Sequence, residues 1–414
     1  MKTHNNGILN TYRGLPRDVY ILFLGKMINC IGAFVHPLLA LILTQRIGLS
    51  SSEAGLYVTL TGVMQAPFIL LGGKLTDRIG RKKIMVIFQS IAAFLFIICG
   101  FIKPSMTLAF FIIAASCFSA LAQPSYDSLV GDITNPDNRQ ASFSLIYIGL
   151  NLGFAIGPLI GGALYKNFLP VVFIGDAVTT LISVLLVLFF IKEPVKKLPE
   201  INDENDAGQH SLESAEDCST LRVFIKRPIL IYFSLISLIF QFAYSQWGFA
   251  VPLKLTSLFG DGTGARYFGI LASCNGIIVV LFTPLLTALT KRIRPITVMA
   301  TGGALYALSF GSCGFLSTLA PFFLVIFFIT IGEILLAINS STFITNLTPS
   351  SHRGRVNAVL PLIYGAGGAL GPSIMGKMID TIGMNTAWFI IGGITILGAL
   401  LMYCLNYIKI SATK

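Results

Sequence analysis

Long apolar runs alternate along the chain with short polar or charged segments. Each run holds roughly 20 mainly apolar residues, the length that a helix needs to cross the ~30 Å hydrocarbon core of a bilayer. A helix also closes its backbone hydrogen bonds within the segment, as a lipid environment requires. The pattern therefore predicts an all-α membrane protein with twelve transmembrane helices. The runs lie at residues 18–43, 52–72, 84–102, 106–131, 141–165, 168–191, 229–253, 266–289, 295–317, 320–346, 356–380 and 385–409.

Composition supports the same class of protein. The chain has 414 residues, of which 54% are hydrophobic and 11% are charged, whereas soluble domains are about a quarter charged. The first seventeen residues are polar, so we expect no cleavable signal peptide and the first run to act as the insertion signal. Seven scattered cysteines include no C-x-x-C pair. We therefore expect no disulfide framework and no metal site. A cofactor is not expected either.

The positive charge is distributed unevenly along the chain. The net charge is +11, but 22 of the 29 Lys and Arg residues fall on the tails and even-numbered loops, which share the side of the N-terminus. The positive-inside rule then predicts a multi-pass protein of the plasma membrane with both termini in the cytoplasm. Because the basicity is a topology signal, we expect no nucleic-acid partner.

A polar segment divides the chain into two halves. Residues 192–228 include eight acids between Glu193 and Asp217, a composition that favours a flexible cytoplasmic linker. The halves repeat each other, because residues 138–162 align with 352–376 at a constant offset of 214. We therefore predict two pseudo-symmetric six-helix bundles, at 1–191 and 229–414, which suit rocking about a central site.

The loop after the second run carries a dense group of charges. Residues 73–82 read GKLTDRIGRK, which resembles the loop 2–3 signature G-x-L-a-D-r-x-G-r-k of the major facilitator superfamily. Every defining position is filled, and the resemblance extends to the twelve runs, the linker and the repeat. It implies the major facilitator fold and transport by alternating access.

The resemblance also implies roles within this motif, whose residues are Gly73, Asp77, Arg78, Gly80, Arg81 and Lys82. The two glycines permit a tight turn and close helix approach. In the family, the residue that matches Asp77 lies at the N-terminal end of the eleventh span, whose partial positive charge would hold the carboxylate. Arg81 would pair with an acid at the end of span four, such as Asp132. These contacts would latch the halves at the cytoplasmic face; alternatively, the cations only fix topology.

The fifth run carries glycines at a spacing of four residues, which form a groove for a neighbouring helix, and a proline that adds a bend. It is similar to the antiporter signature g-x-x-x-G-P-x-x-G-G of the drug-exporting branch, which implies export. Plain helix packing is the alternative, and the eleventh run carries a version too. Ala114 stands near the position where many proton-coupled exporters have an arginine, so coupling through that arginine is not expected. The motif residues are Gly153, Gly157, Pro158, Gly161 and Gly162.

Charges inside membrane spans are costly and are functional candidates by default. Glu333 lies mid-run and can exchange a proton or meet a cationic substrate; with Asp132 it resembles coupling acids of a multidrug–proton antiporter. A structural hydrogen-bonding role is the alternative. Asp127 is expected to line the pocket or to pair with Lys26, in a coupling pair that substrate or a proton would break. Alternatively, Lys26 binds an anionic substrate group. Asp176 is expected to reach the outer interface.

These features favour a monomeric secondary active exporter of drug-like or amphiphilic compounds, driven by inward proton flow. The alternative is the same fold moving a specific metabolite, such as a sugar, an amino acid or an organic anion. No G-x-x-x-x-G-K-[ST] motif and no nucleophile–base motif occurs, so neither ATP-driven transport nor enzymatic catalysis is expected. The candidate cavity residues are Asn29, Tyr147, Asn151, Gln241, Tyr244, Gln246, Trp247, Asn275 and Asn339.

Overall fold

The computed structural model describes residues 12–193, 224–348 and 353–407, and within them the chain is almost entirely helical. The helices follow the apolar runs, although some extend past them, as the helix Ser51–Ile79 does through the polar residues after Leu71. They are α1 Arg17–Ile31, α2 Val35–Leu41, α3 Ser51–Ile79, α4 Arg81–Phe101, α5 Met106–Asp132, α6 Pro136–Leu164, α7 Leu169–Phe190, α8 Pro228–Phe259, α9 Asp261–Thr290, α10 Pro295–Ser312, α11 Ala320–Asn346, α12 Arg353–Ile382 and α13 Met384–Cys404.

Ten helical stretches in the described part of the chain are long and apolar enough to cross a membrane. Two further helices, α10 and α12, lie where the sequence predicts the ninth and eleventh spans. The first is only 18 residues long, and the second begins with Arg353 and carries Lys377 and Asp380. With α1 and α2 counted as one span, the described helices are consistent with the twelve predicted.

The first span is broken, which the sequence did not predict. The end of α1 at Ile31 is followed by three residues before α2 begins at Val35, and α2 continues into a π-helical turn, Ile42–Arg46. At the break, the backbone N–H of Val35 donates to Oδ2 of Asp176 on α7, at 3.3 Å. The prediction that Asp176 reaches the interface is wrong, because its side chain is only 8% exposed and serves this helix start.

The described chain forms two compact units that interleave along the sequence. The first comprises residues 1–49, 60–197 and 255–277, and the second comprises 50–59, 198–254 and 278–414. In the first unit α1 packs on α6 and α7, and α4 packs on α5 and α7. In the second unit α10 packs on α11 and α13, where the rings of Phe310 and Trp388 stack with centroids 6.1 Å apart. The chain-order bundles at 1–191 and 229–414 stay a prediction.

Candidate functional site

Glu333 lines a cavity of about 280 Å³ inside the second unit. The cavity is bounded by α8, α10, α11 and α12, and Glu333 lies at the middle of α11 with its side chain half-buried. Aromatic and apolar side chains form most of the wall, with a few hydroxyl and amide groups. The other lining residues are Phe233, Ser237, Phe240, Gln241, Tyr244, Tyr306, Leu336, Ala337, Ser340 and Tyr364.

Glycines bring the aromatic rings to the carboxylate. Gly302 on α10 and Gly332 on α11 face each other so closely that a Cβ on either would lie about 3 Å or less from the other's carbonyl oxygen. A Cβ on Gly332 would also lie 2.8 Å from the ring of Tyr306. Absence of side chains here lets Tyr306 lie beside α11, and its ring stacks on Tyr244 with centroids 5.9 Å apart and planes 17° apart. A flat aromatic surface therefore shares the cavity with Glu333.

This arrangement suits an amphiphilic cation. A carboxylate attracts positive charge, and the faces of aromatic rings attract it by their quadrupoles. The volume is close to the lower end of small-molecule sites, which are mostly apolar with a few polar groups that orient the ligand. Glu333 can alternatively hold a proton, so the same oxygen atoms serve either a proton or a cation.

The structure distributes the other predicted cavity residues widely. Gln241 and Tyr244 line the Glu333 cavity, and Asn29 lines a second pocket in the first unit. Three amides instead donate to a backbone carbonyl oxygen one turn earlier on their own helix: Asn151 to Tyr147, Gln246 to Phe242 and Asn339 to Leu335. Tyr147, Trp247 and Asn275 line neither of the two cavities.

The second pocket surrounds Lys26 within the first unit. Its Nζ lies 5.1 Å from the centroid of the Tyr126 ring. Asn29 donates to Oγ1 of Thr180 at 2.9 Å. The free volume is only about 20 Å³, enough for one small group. The remaining lining residues are Met85, Gln89, Gln123, Ser183 and Val184.

Asp127 does not pair with Lys26 among the described residues. Its carboxylate accepts from Nε2 of Gln123, one turn earlier on α5, at 3.2 and 3.4 Å. The side chain of Asp127 is exposed. The predicted Lys26–Asp127 ion pair is therefore not formed, because α5 supplies the carboxylate with a local partner and Lys26 lies over an aromatic ring.

The basic motif of residues 73–82 is divided between two helices. Gly73, Asp77 and Arg78 lie within α3, and the turn falls at Gly80, whose φ is +123°. The prediction that Gly73 also shapes the turn is wrong, because α3 continues through it to Ile79. Arg81 starts α4, and its Nε lies 2.7 Å from Oδ2 of Asp132 at the end of α5. This is the pair that the sequence predicts.

Lys82, another cation of the motif, caps the C-terminal end of α7. Nζ of Lys82 donates to the carbonyl oxygens of Leu188 and Ile191 at the end of α7, at 2.8 and 2.6 Å. In return the carboxylate of Glu193 accepts from the backbone N–H groups of Lys82 and Lys83, each at 3.2 Å. These bonds tie α4 to α7 through backbone groups that have no partner within their own helix end. Glu193, at the start of the predicted linker, is thus a contact that sequence reasoning missed.

Asp77 itself is only partly described. Its backbone belongs to α3, but its side chain lies outside the described residues, as do the side chains of Arg353 and Arg355 at the start of α12. The predicted latch between Asp77 and the eleventh span stays a prediction.

The glycine motif of α6 packs against neighbours in the first unit. Cβ atoms on Gly153 or Gly157 would lie within 2.9 Å of backbone atoms of α1. Gly161 faces Phe34, and Gly162 faces the backbone of Ala265 on α9. α6 continues through Pro158 without ending. The motif therefore allows two helices to approach α6 at backbone distance.

Part of the Glu333 site was missed by sequence reasoning. Ser237 lies one turn before Gln241 on α8, and Ser340 lies two turns after Glu333 on α11, so a helical wheel drawn from the predicted residues would have found them. Tyr306 and Tyr364 lie on other helices, and no local signal connects them with Glu333.

The helices are long and apolar enough for a membrane protein, and similarity to known proteins defines its class. The model of the Major Facilitator Superfamily matches residues 22–265 and 248–409, so the chain belongs to this superfamily. Its members are transporters and not enzymes.

Relatives and solved structures agree with this assignment. The chain is 25% identical over 378 residues to a Na(+), Li(+), K(+)/H(+) antiporter of Planococcus maritimus, covering 86% of each chain. It is 24% identical over 338 residues to Multidrug resistance protein 2 of Bacillus subtilis, covering 80% of this chain and 81% of the relative. A crystal structure of a peptide transporter POT in complex with sulfate has the same fold, with a TM-score of 0.79, 17% identity and 95% of each chain covered.

Proposed function

We propose that the protein is a secondary active exporter that exchanges protons for amphiphilic, drug-like compounds that carry positive charge. The observation that carries the proposal is the position of Glu333 in an aromatic cavity of about 280 Å³. A cation beside the stacked rings of Tyr244 and Tyr306 gains roughly 0.5–2 kcal/mol from cation–π attraction. The apolar walls accept the rest of the compound.

Coupling follows from a competition at one carboxyl group. Glu333 holds either a proton or the charge of a bound cation, because a carboxylate that binds the cation must first lose its proton. Binding of one monovalent cation therefore releases one proton into water, and charge is conserved in the cavity. When the site faces the opposite side of the membrane, a proton displaces the cation. Repetition of these two steps gives antiport.

The direction of transport and the orientation belong to the same proposal. The glycine motif of α6 resembles that of drug exporters, and the excess of Lys and Arg favours cytoplasmic termini in the plasma membrane. The relatives named as a cation/proton antiporter and as a multidrug resistance protein support proton exchange and drug-like substrates respectively. The protein would work as a monomer, by rocking of residues 1–191 against 229–414.

A second candidate function is transport of a specific organic anion. The observation that favours it is the Lys26 pocket, whose lining includes an ammonium, three side-chain amides and three hydroxyls but no carboxylate among the described residues. Such a set of donors suits a carboxylate group of a metabolite.

Proton release on ligand addition tests the leading proposal. Benzyltrimethylammonium is added to purified protein in weakly buffered solution, and the pH change is followed together with binding. Wild type is expected to release about one proton per bound cation, whereas Glu333→Gln binds without release. Asp127→Asn is the matched control, since it neutralises another carboxylate of the membrane region and is expected to leave release unchanged. Equal release by wild type and Glu333→Gln would overturn the proposal.

A further inference from the structure

The start of α3 is held by an acidic residue of α12. Oδ2 of Asp380 accepts from the backbone N–H of Ser52 at 2.7 Å. Ser50 and Glu53 complete the helix start, because the N–H of each donates to the side chain of the other, at 2.8 and 3.2 Å. The first turn of a helix has free N–H groups and partial positive charge, so it binds a carboxylate by both effects. All four residues belong to the second unit.

Beyond Asp380, α3 and α12 are in direct backbone contact along a seam, which we define as residues 51–59 and 372–380. A Cβ on Gly55 would collide with the carbonyl oxygen of Pro372, and a Cβ on Gly376 would collide with that of Ser51. The N–H of Ser373 donates to Oγ1 of Thr59 at 3.2 Å. The two helices therefore touch without intervening side chains.

The internal repeat provides a natural comparison for this seam. The offset of 214 carries the α3–α12 seam onto α9 and α6 of the first unit, where Gly269 faces Pro158 and Gly162 faces Ala265 in the same manner. Glycine packing is thus common to both seams. The carboxylate is present in only one of the two seams, because the offset carries Asp380 onto Lys166 and Ser52 onto Arg266. Since the second seam packs closely without a carboxylate at this point, Asp380 is not required for packing itself.

We propose that Asp380 is a positioning residue of the transport cycle, which holds the α3–α12 seam closed through the N–H of Ser52. This inference rests on the alternating-access function proposed above. The bond lies at the start of α3, which is 29 residues long and therefore spans roughly 43 Å. The basic motif lies at the other end of the same helix, so the two ends carry separate contacts. The bond is solvent-exposed, and a carboxylate at such a helix start changes an equilibrium by roughly two- to fivefold.

The test measures how often the seam opens. Thr59 is 7% exposed and lies within the seam, so Thr59→Cys reports opening in a functional chain whose native cysteines are replaced by alanine. Alkylation by a membrane-impermeant maleimide is followed in nanodiscs, where both faces are accessible. Asp380→Asn and Asp380→Ala are expected to raise the alkylation rate roughly two- to fivefold. Lys377→Ala, an exposed charge one turn earlier on α12, is the matched control and is expected to leave the rate unchanged.

A double-variant cycle assigns the effect to the bond. Ser52→Pro removes the N–H that Asp380 accepts from, in the first helical turn, where proline is best tolerated. In that background Asp380→Ala is expected to have no further effect on the rate. An unchanged rate in both Asp380 variants, or the same increase with and without Ser52→Pro, would overturn the inference. Alkylation needs neither substrate nor proton gradient, so a failure of Glu333 coupling leaves this result interpretable.

Discussion

Arg81 and Asp132 form a salt bridge that joins the start of α4 to the end of α5, with Nε and Oδ2 2.7 Å apart. Their side chains are 17% and 37% exposed, so water screens the pair and its contribution to stability is about 0.5–1 kcal/mol. The bridge connects the basic motif to the acid that sequence reasoning assigned to it. It therefore anchors one end of the motif within the first unit.

Removal of one partner of this bridge is expected to weaken the fold slightly. Arg81→Gln should lower the midpoint of thermal unfolding by roughly 1–3 °C, and the exchange of Arg81→Asp with Asp132→Arg should recover much of the loss. Fluorescence-detected unfolding of the purified protein gives the midpoints. Lys83→Gln, which removes an exposed cation of the same loop, is the control. Equal unfolding midpoints for Arg81→Gln and the control Lys83→Gln would contradict the role of the bridge.

Close packing between α6 and α1 is expected to be sensitive to a single methyl group. A Cβ on Gly157 would lie 2.8 Å from the carbonyl oxygen of Cys30 and 2.9 Å from that of Ile31. Gly157→Ala must therefore move α1, at a cost of about 1–3 kcal/mol. Gly62→Ala is the matched control, because nothing lies within 4 Å of its Cβ and alanine favours helix over glycine by about 1 kcal/mol. Thermal unfolding should show Gly157→Ala alone to be destabilised; equal stability of both variants would refute the packing argument.

Glu193 is expected to stabilise the start of α4. Its carboxylate accepts from two backbone N–H groups there, so Glu193→Ala should cost about 1 kcal/mol, and Glu193→Gln, which keeps an oxygen acceptor, should cost less. The neighbouring Lys192→Ala serves as the control, since Lys192 is exposed. Unfolding midpoints that decrease from wild type to Glu193→Gln to Glu193→Ala would support this capping role of Glu193. A midpoint of Glu193→Ala equal to that of Lys192→Ala would exclude it.

Sequence alone predicted the helices well, because a continuous apolar run of roughly 20 residues crosses a membrane as a helix. It also predicted the Arg81–Asp132 pair, and it singled out Glu333, which lines the cavity, since isolated charges stand out in such runs; the role of Glu333 stays a prediction. It failed at the break after Ile31, which depends on Asp176 from a helix distant in sequence. Tyr306 likewise reaches Glu333 only through the approach of Gly302 to Gly332. These features result from long-range packing, which hydrophobic periodicity does not encode.

The Lys26 pocket gives a prediction that separates the two candidate functions. If an organic anion is the substrate, Lys26→Met should weaken binding of benzoate roughly ten- to hundredfold, because a charge-assisted hydrogen bond is lost. Lys26→Arg should retain most of the affinity. Isothermal titration with benzoate and with benzyltrimethylammonium provides the comparison. Absence of benzoate binding by wild type, or equal binding by Lys26→Met, would eliminate the anion candidate.

Exchange in liposomes tests the central claim about Glu333 most directly. Protein is reconstituted into vesicles that are acidic inside, and uptake of labelled benzyltrimethylammonium is measured with and without the pH gradient. One-for-one exchange predicts accumulation of about tenfold per pH unit by wild type and by the control Asp127→Asn. It predicts that Glu333→Gln, although it still binds the cation, shows no gradient-driven accumulation. Gradient-driven accumulation by Glu333→Gln at the wild-type level would contradict the account.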